Sequence, residues 1–92
     1  MFTQKDFEEI DKRFQVVTKT GLHIILKSLT GHTWDIYSSD AGYGCSLVIS
    51  HKHNDSDPFH IQPNIHPRTV AEAMEYIRSH DRYEKDKRKR RS

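Results

Sequence analysis

Short apolar stretches occupy the middle of the chain: Val16-Val17, Leu22 to Leu26, Trp34 to Tyr37, Cys45 to Ile49 and Phe59 to Ile61. Each is brief, β-branched or aromatic, and bounded by turn residues, which predicts strands rather than helices. Thr20-Gly21, Thr30-Gly31, Ser39 to Gly44 and Asn54 to Pro58 supply the turns. Leu22, Ile24 and Leu26 alternate with His23, Ile25 and Lys27. Trp34 and Ile36 alternate in the same way with Thr33, Asp35 and Tyr37. A period of two is expected where one sheet face meets a core and the other stays open. An antiparallel meander of three to five strands is predicted.

The flanks have a different period. Thr3 and Asp6 match a capping box, with Phe2 and Phe7 placed as a hydrophobic staple, so a helix starts at about Gln4. Phe7, Ile10 and Phe14 extend its apolar stripe at i, i+3 and i+7. After Pro63 and Pro67, Thr69 and Glu72 form a second box. Val70, Ala73, Met74 and Ile77 then give an apolar face to a helix running from about 69 to 84. One apolar face per element favours two layers, with both helices on the same side of the sheet. The expected fold is α+β in the order α-β-β-β(-β)-α.

Composition narrows the setting. The 92 residues fit one domain, and with 34% hydrophobic residues there is little volume for a deep cavity. The first residues do not read as a secretory signal, and no apolar stretch is long enough to span a membrane. A lone cysteine, Cys45, favours a reducing compartment, so a cytoplasmic location is expected. Charge is unevenly placed. Residues 1–84 carry nine Lys or Arg against twelve Asp or Glu, a net of −3, while 85–92 carry six against one, a net of +5. The expectation is a folded body over 1–84 and a basic tail over 85–92, kept disordered by repulsion between like charges.

Several segments could carry chemistry. His51 and His53 share one side of a strand, and His60 could return beside them, which makes a candidate transition-metal site. The competing reading places these residues on solvated positions near a hairpin tip. His51-x-His53-x-Asp55 resembles the opening of the metallo-β-lactamase metal motif, but Ser56 stands where a histidine should follow and the chain is too short for that fold. Cys45 reads as a small hydrophobe opening a strand, and Gly42-x-Gly44 as a permissive turn. No oxyanion hole or phosphate loop accompanies them, so neither an enzyme nor a cofactor is expected.

The element order is similar to that of double-stranded RNA-binding domains, with Gly31-His32 where those carry a groove-reading loop. The second helix opens Pro67-Arg68-Thr69-Val70-Ala71-Glu72, without their lysine cluster, so the likeness is one of topology alone. Two binding readings follow. The leading one is a small non-enzymatic adaptor or inhibitor, of the kind phages and mobile elements encode. An anti-CRISPR-type nuclease inhibitor is one concrete form. It would dock a larger protein or nucleoprotein through Tyr37, Tyr43, Asp40, Asp55 and Asp57, as a monomer or homodimer. The alternative is sequence-unspecific nucleic-acid binding through Lys85, Lys87, Arg88, Lys89, Arg90 and Arg91, assisted by Arg78 and Arg82.

Overall fold

The structure is a computed structural model that describes residues 1–38, 47–62 and 65–91, the side chains of 88–91 excepted. A short helix α1 (Gln4–Glu8) leads into strands β1 (Gln15–Lys19), β2 (His23–Lys27), β3 (Thr33–Tyr37), β4 (Val48–Lys52) and β5 (His60–Ile61), and helix α2 (Val70–Arg91) closes the chain. The strands form one sheet in meander order, every pair antiparallel. This is the expected α+β fold, with five strands.

Register explains how the core is built. Ile24, Ile36 and Ile49 sit in one cross-strand row, and Leu26, Trp34 and His51 in the next. Their side chains therefore point to one face, where Val70, Ala73, Met74 and Ile77 of α2 and Ile10 and Phe14 join them. Leu22 departs from the predicted alternation: it lies ahead of β2 in the turn and is exposed. There Thr20 Oγ1 accepts the N–H groups of Leu22 (3.3 Å) and His23 (3.0 Å), so the turn ends before the pleat begins.

The predicted capping box closes at α1, and at α2 half of it forms. Thr3 and Asp6 bond reciprocally, and the Phe2 and Phe7 rings lie 6.5 Å apart as a staple. At α2, Glu72 N–H donates to Thr69 Oγ1 (3.1 Å), while the Glu72 carboxylate takes the N–H of Arg68. Glu9 adds a cap from outside, accepting the Ala71 N–H at 3.0 Å.

Two boundaries differ from expectation. The first helix stops at Glu8 instead of continuing through Phe14. Asp11 accepts the backbone N–H of Arg13 at 2.9 Å and the Arg13 guanidinium besides, offering the backbone a local bond that competes with helix. Ile10 and Phe14 are buried all the same. The second helix does not stop at 84: it runs on through Arg91, so 85–91 is helical. Lys and Arg are good helix formers, and cations near a helix C-terminus complement its dipole, which offsets their mutual repulsion.

The β2–β3 turn is fastened to α2 by one carboxylate. Asp81, 3% exposed, accepts from Ser28 Oγ (2.7 Å), Thr30 Oγ1 (2.8 Å) and the Leu29 N–H (3.1 Å). Ser28 Oγ in turn accepts the Trp34 indole N–H at 3.1 Å. Gly31 completes the turn at φ 84°, in the left-handed region that favours glycine. Replacing Asp81 with Ala strands these donors in a low-dielectric site and should cost about 3 kcal/mol. D81N, which keeps one acceptor oxygen, should cost less. Urea unfolding followed by Trp34 fluorescence measures both, and equal stability of D81A and wild type would refute the assignment.

Candidate functional site

At the end of the sheet nearest the β2–β3 turn, imidazoles take the place of aliphatic side chains on the core face. Trp34 and His51 are cross-strand partners, and His32 and His53 lie two residues beyond them on the same face. His80 of α2 completes the cluster. The His32–His53 ring centroids are 4.2 Å apart, His51–His53 4.8 Å, His51–His80 4.8 Å and His32–His80 5.5 Å. His32 Nδ1 and His51 Nε2 are hydrogen-bonded at 2.9 Å. One ring nitrogen from each of His32, His51 and His80 lies within 4.8 Å of the other two.

Trp34 anchors this cluster. His51 stacks on the indole at 4.1 Å, and His80 meets it edge-on at 5.0 Å. His32 and His51 are buried, His80 is half-buried and His53 is exposed at the mouth. Burial, followed by the neighbouring imidazoles His80, His32 and His53, holds His51 down to about pKa 4. Burial also lowers His80, against an opposing pull from Glu84 and Asp81. His80 Nδ1 is buried without a hydrogen-bond partner.

The structure thus brings together His51 and His53 of the sequence-predicted trio but not His60. His60 faces His51 across β4 and β5, yet it is exposed and makes no ring contact with the cluster. Its place is taken by His32 and His80, neither of which was singled out from sequence as a ligand. A signal for His80 existed: at i+3 from Ile77 it borders the apolar stripe of its helix.

A second concentration of charge lies on a neighbouring face of α2. Arg78, Arg82 and Lys85, at i, i+4 and i+7, join Arg13 around an open cavity of about 300 Å³ that Leu29 and Asp81 also line. Arg13 and Arg78 share the carboxylate of Asp11, at 2.9 and 3.4 Å, and the Arg13 hydrogen bond holds that carboxyl well below the usual carboxylate range. Arg82 and Lys85 have no acidic partner among the described residues. Lys87 is exposed one half-turn further on, and Arg88, Lys89, Arg90 and Arg91 follow on the same helix, their side chains outside the described residues.

The residues considered for protein docking are more dispersed. Tyr37 is half-buried on the open sheet face, its ring 4.8 Å from that of His23, which bonds Asp35 at 2.9 Å. Asp55 approaches Lys27 at 3.5 Å, and Asp57 accepts from Asn54 within the β4–β5 loop. Asp40 and Tyr43, along with Cys45 and Gly42-x-Gly44, lie outside the described residues.

No protein-family model, no curated protein and no solved structure matches this chain. Among the described residues, no helix is long and apolar enough to cross a membrane.

The histidine cluster generates a pH prediction for chelator-treated protein. His51 is at about 4 when folded and near the ordinary 6.5 when unfolded, so between those values the unfolded chain binds more protons. Its contribution to stability is complete above about pH 6.5 and is lost as the pH falls toward 4. His32, His53, His80 and Glu84 set that environment. The urea midpoint should fall steadily across the window in wild type, and more shallowly in H51Q. Identical slopes would assign the pH dependence elsewhere.

Proposed function

We propose that this chain is a small non-enzymatic binding protein that holds the phosphate backbone of nucleic acid against the basic face of α2. The observation that carries the reading is the grouping of Arg13, Arg78, Arg82 and Lys85 around one open cavity, on the helix whose continuation contains five more Lys or Arg residues. Because 85–91 is helical, the backbone carries these residues at fixed spacing instead of on a loose chain. Asp11 holds Arg13 and Arg78 side by side, while Arg82 and Lys85 have no acidic partner among the described residues and are left to donate to phosphate oxygens.

The described part of this face offers no aromatic ring for base stacking, so the contact is to backbone and unspecific in sequence. The rest of the body is mildly acidic, which confines the attraction to one side of the molecule. Adaptor or inhibitor docking is the second reading. It rests on the open sheet face, where Ile25 and the 65%-exposed Ile61 flank Asp35 and Ser50 in one cross-strand row. A nucleoprotein would satisfy both surfaces at once.

Binding of a labelled duplex should weaken steeply with salt, with a log–log slope near −5 for about six phosphate contacts. The double variant R82Q/K85Q should bind more weakly and lower that slope by about 2. A chain ending at Glu84 should lose most of the affinity. Salt-independent binding, or undiminished binding by both variants, would overturn the proposal. Capture of one protein that survives both nuclease and removal of 85–92 would favour docking on the sheet.

A further inference from the structure

We propose that His32, His51 and His80 bind a divalent transition-metal ion of the zinc class, with His53 supplying the fourth nitrogen from the mouth of the cluster. The site is separate from the basic face of α2 and does not depend on it. Zinc–imidazole bonds of about 2.0 Å in tetrahedral array place ligand nitrogens roughly 3.3 Å apart. The three imidazoles already present nitrogens within 4.8 Å of one another, two of them only 2.9 Å apart. Small side-chain rotations, chiefly of His80, draw the set onto one ion.

Independent observations point to a ligand. His80 Nδ1 is buried with no hydrogen-bond partner, a state that is costly in a protein interior and that coordination would relieve. Ring packing on Trp34, stacked for His51 and edge-on for His80, accounts for their ring positions but makes no use of that nitrogen. Glu84 lies one turn beyond His80 on α2. Exposed His53 marks the entry path.

The donor set selects the ion. Four neutral imidazoles suit zinc, copper or nickel and are poor ligands for magnesium or calcium, which require oxygen. Four protein ligands leave no open coordination position, so the ion's role is structural. It would tie α2 to β4 and to the residue preceding β3, joining the two layers beside Trp34.

The test uses the full chain without a histidine tag. Metal analysis after purification, and after exposure of chelator-treated protein to Zn(II), should give one zinc per chain. Co(II) should produce the intense visible bands of tetrahedral coordination. Zn(II), and not Mg(II), should raise the melting temperature by several degrees. H80Q should abolish uptake, and H53Q should weaken it by about tenfold or more. H60Q should leave it unchanged. Near-UV circular dichroism of Trp34 establishes that each variant is folded. If H80Q fails to fold, wild-type uptake and folded H53Q decide the matter. Folded wild type that takes up neither Zn(II) nor Co(II), H53Q with undiminished uptake, or H60Q as defective as H80Q would overturn the assignment.

Discussion

The carboxylate of Asp81 is the contact on which the arrangement of the two layers depends. A charge buried this deeply is tolerated only where donors surround it, and here two hydroxyls and a backbone N–H do so. All three come from Ser28, Leu29 and Thr30, so the turn is shaped around the helix as much as the helix is seated on the turn. The bond from the Trp34 indole to Ser28 extends the same network into the centre of the sheet. Hydrophobic burial by Ile24, Ile36, Ile49 and Ile77 supplies the driving force for packing, but it is non-directional. The polar network gives α2 one rotation and one height above the strands.

That rotation sorts the side chains of α2 by chemistry. Met74, Ile77 and Asp81 enter the core, and His80 meets Trp34 and the histidines of the sheet. Arg78, Arg82 and Lys85 turn to solvent on the other flank, where Arg78 meets Asp11. Asp11 has a double effect: it ends α1 by capturing the Arg13 backbone, and it holds two guanidinium groups side by side. The local break that shortens the first helix also brings together two of the cations that line the cavity.

Periodicity made most of the elements legible. The alternation in Ile24 to Leu26 and Trp34 to Ile36 located the buried face, and the boxes at Thr3 and Thr69 located both helix starts. What it could not supply was long-range or side-chain-driven. The end of α1 depends on a carboxylate choosing a backbone N–H two residues away, which an i, i+3, i+7 stripe does not register. The histidine cluster is half legible for the same reason. His51 and His53 are adjacent by strand geometry, whereas His32 and His80 arrive through strand pairing and helix packing. Asp81 did leave a trace, since it falls at i+4 from Ile77 on the apolar stripe, where an unpaired acid would be costly. The end of α2 illustrates a competition of local terms, in which propensity and dipole outweigh like-charge repulsion along 85–91.

Because one helix carries three kinds of side chain on adjoining flanks, its length is under a stricter constraint than its composition. Adding or removing one residue between Ile77 and Asp81 would rotate everything downstream by about 100°. The acid would leave the turn, His80 or its successor would leave Trp34, and the cations would swing across the layer beneath. Point substitutions can be absorbed on each flank separately, but insertions and deletions cannot. Divergence in a chain built this way is confined to exchange of side chains on α2, with changes of length left to the loops between strands.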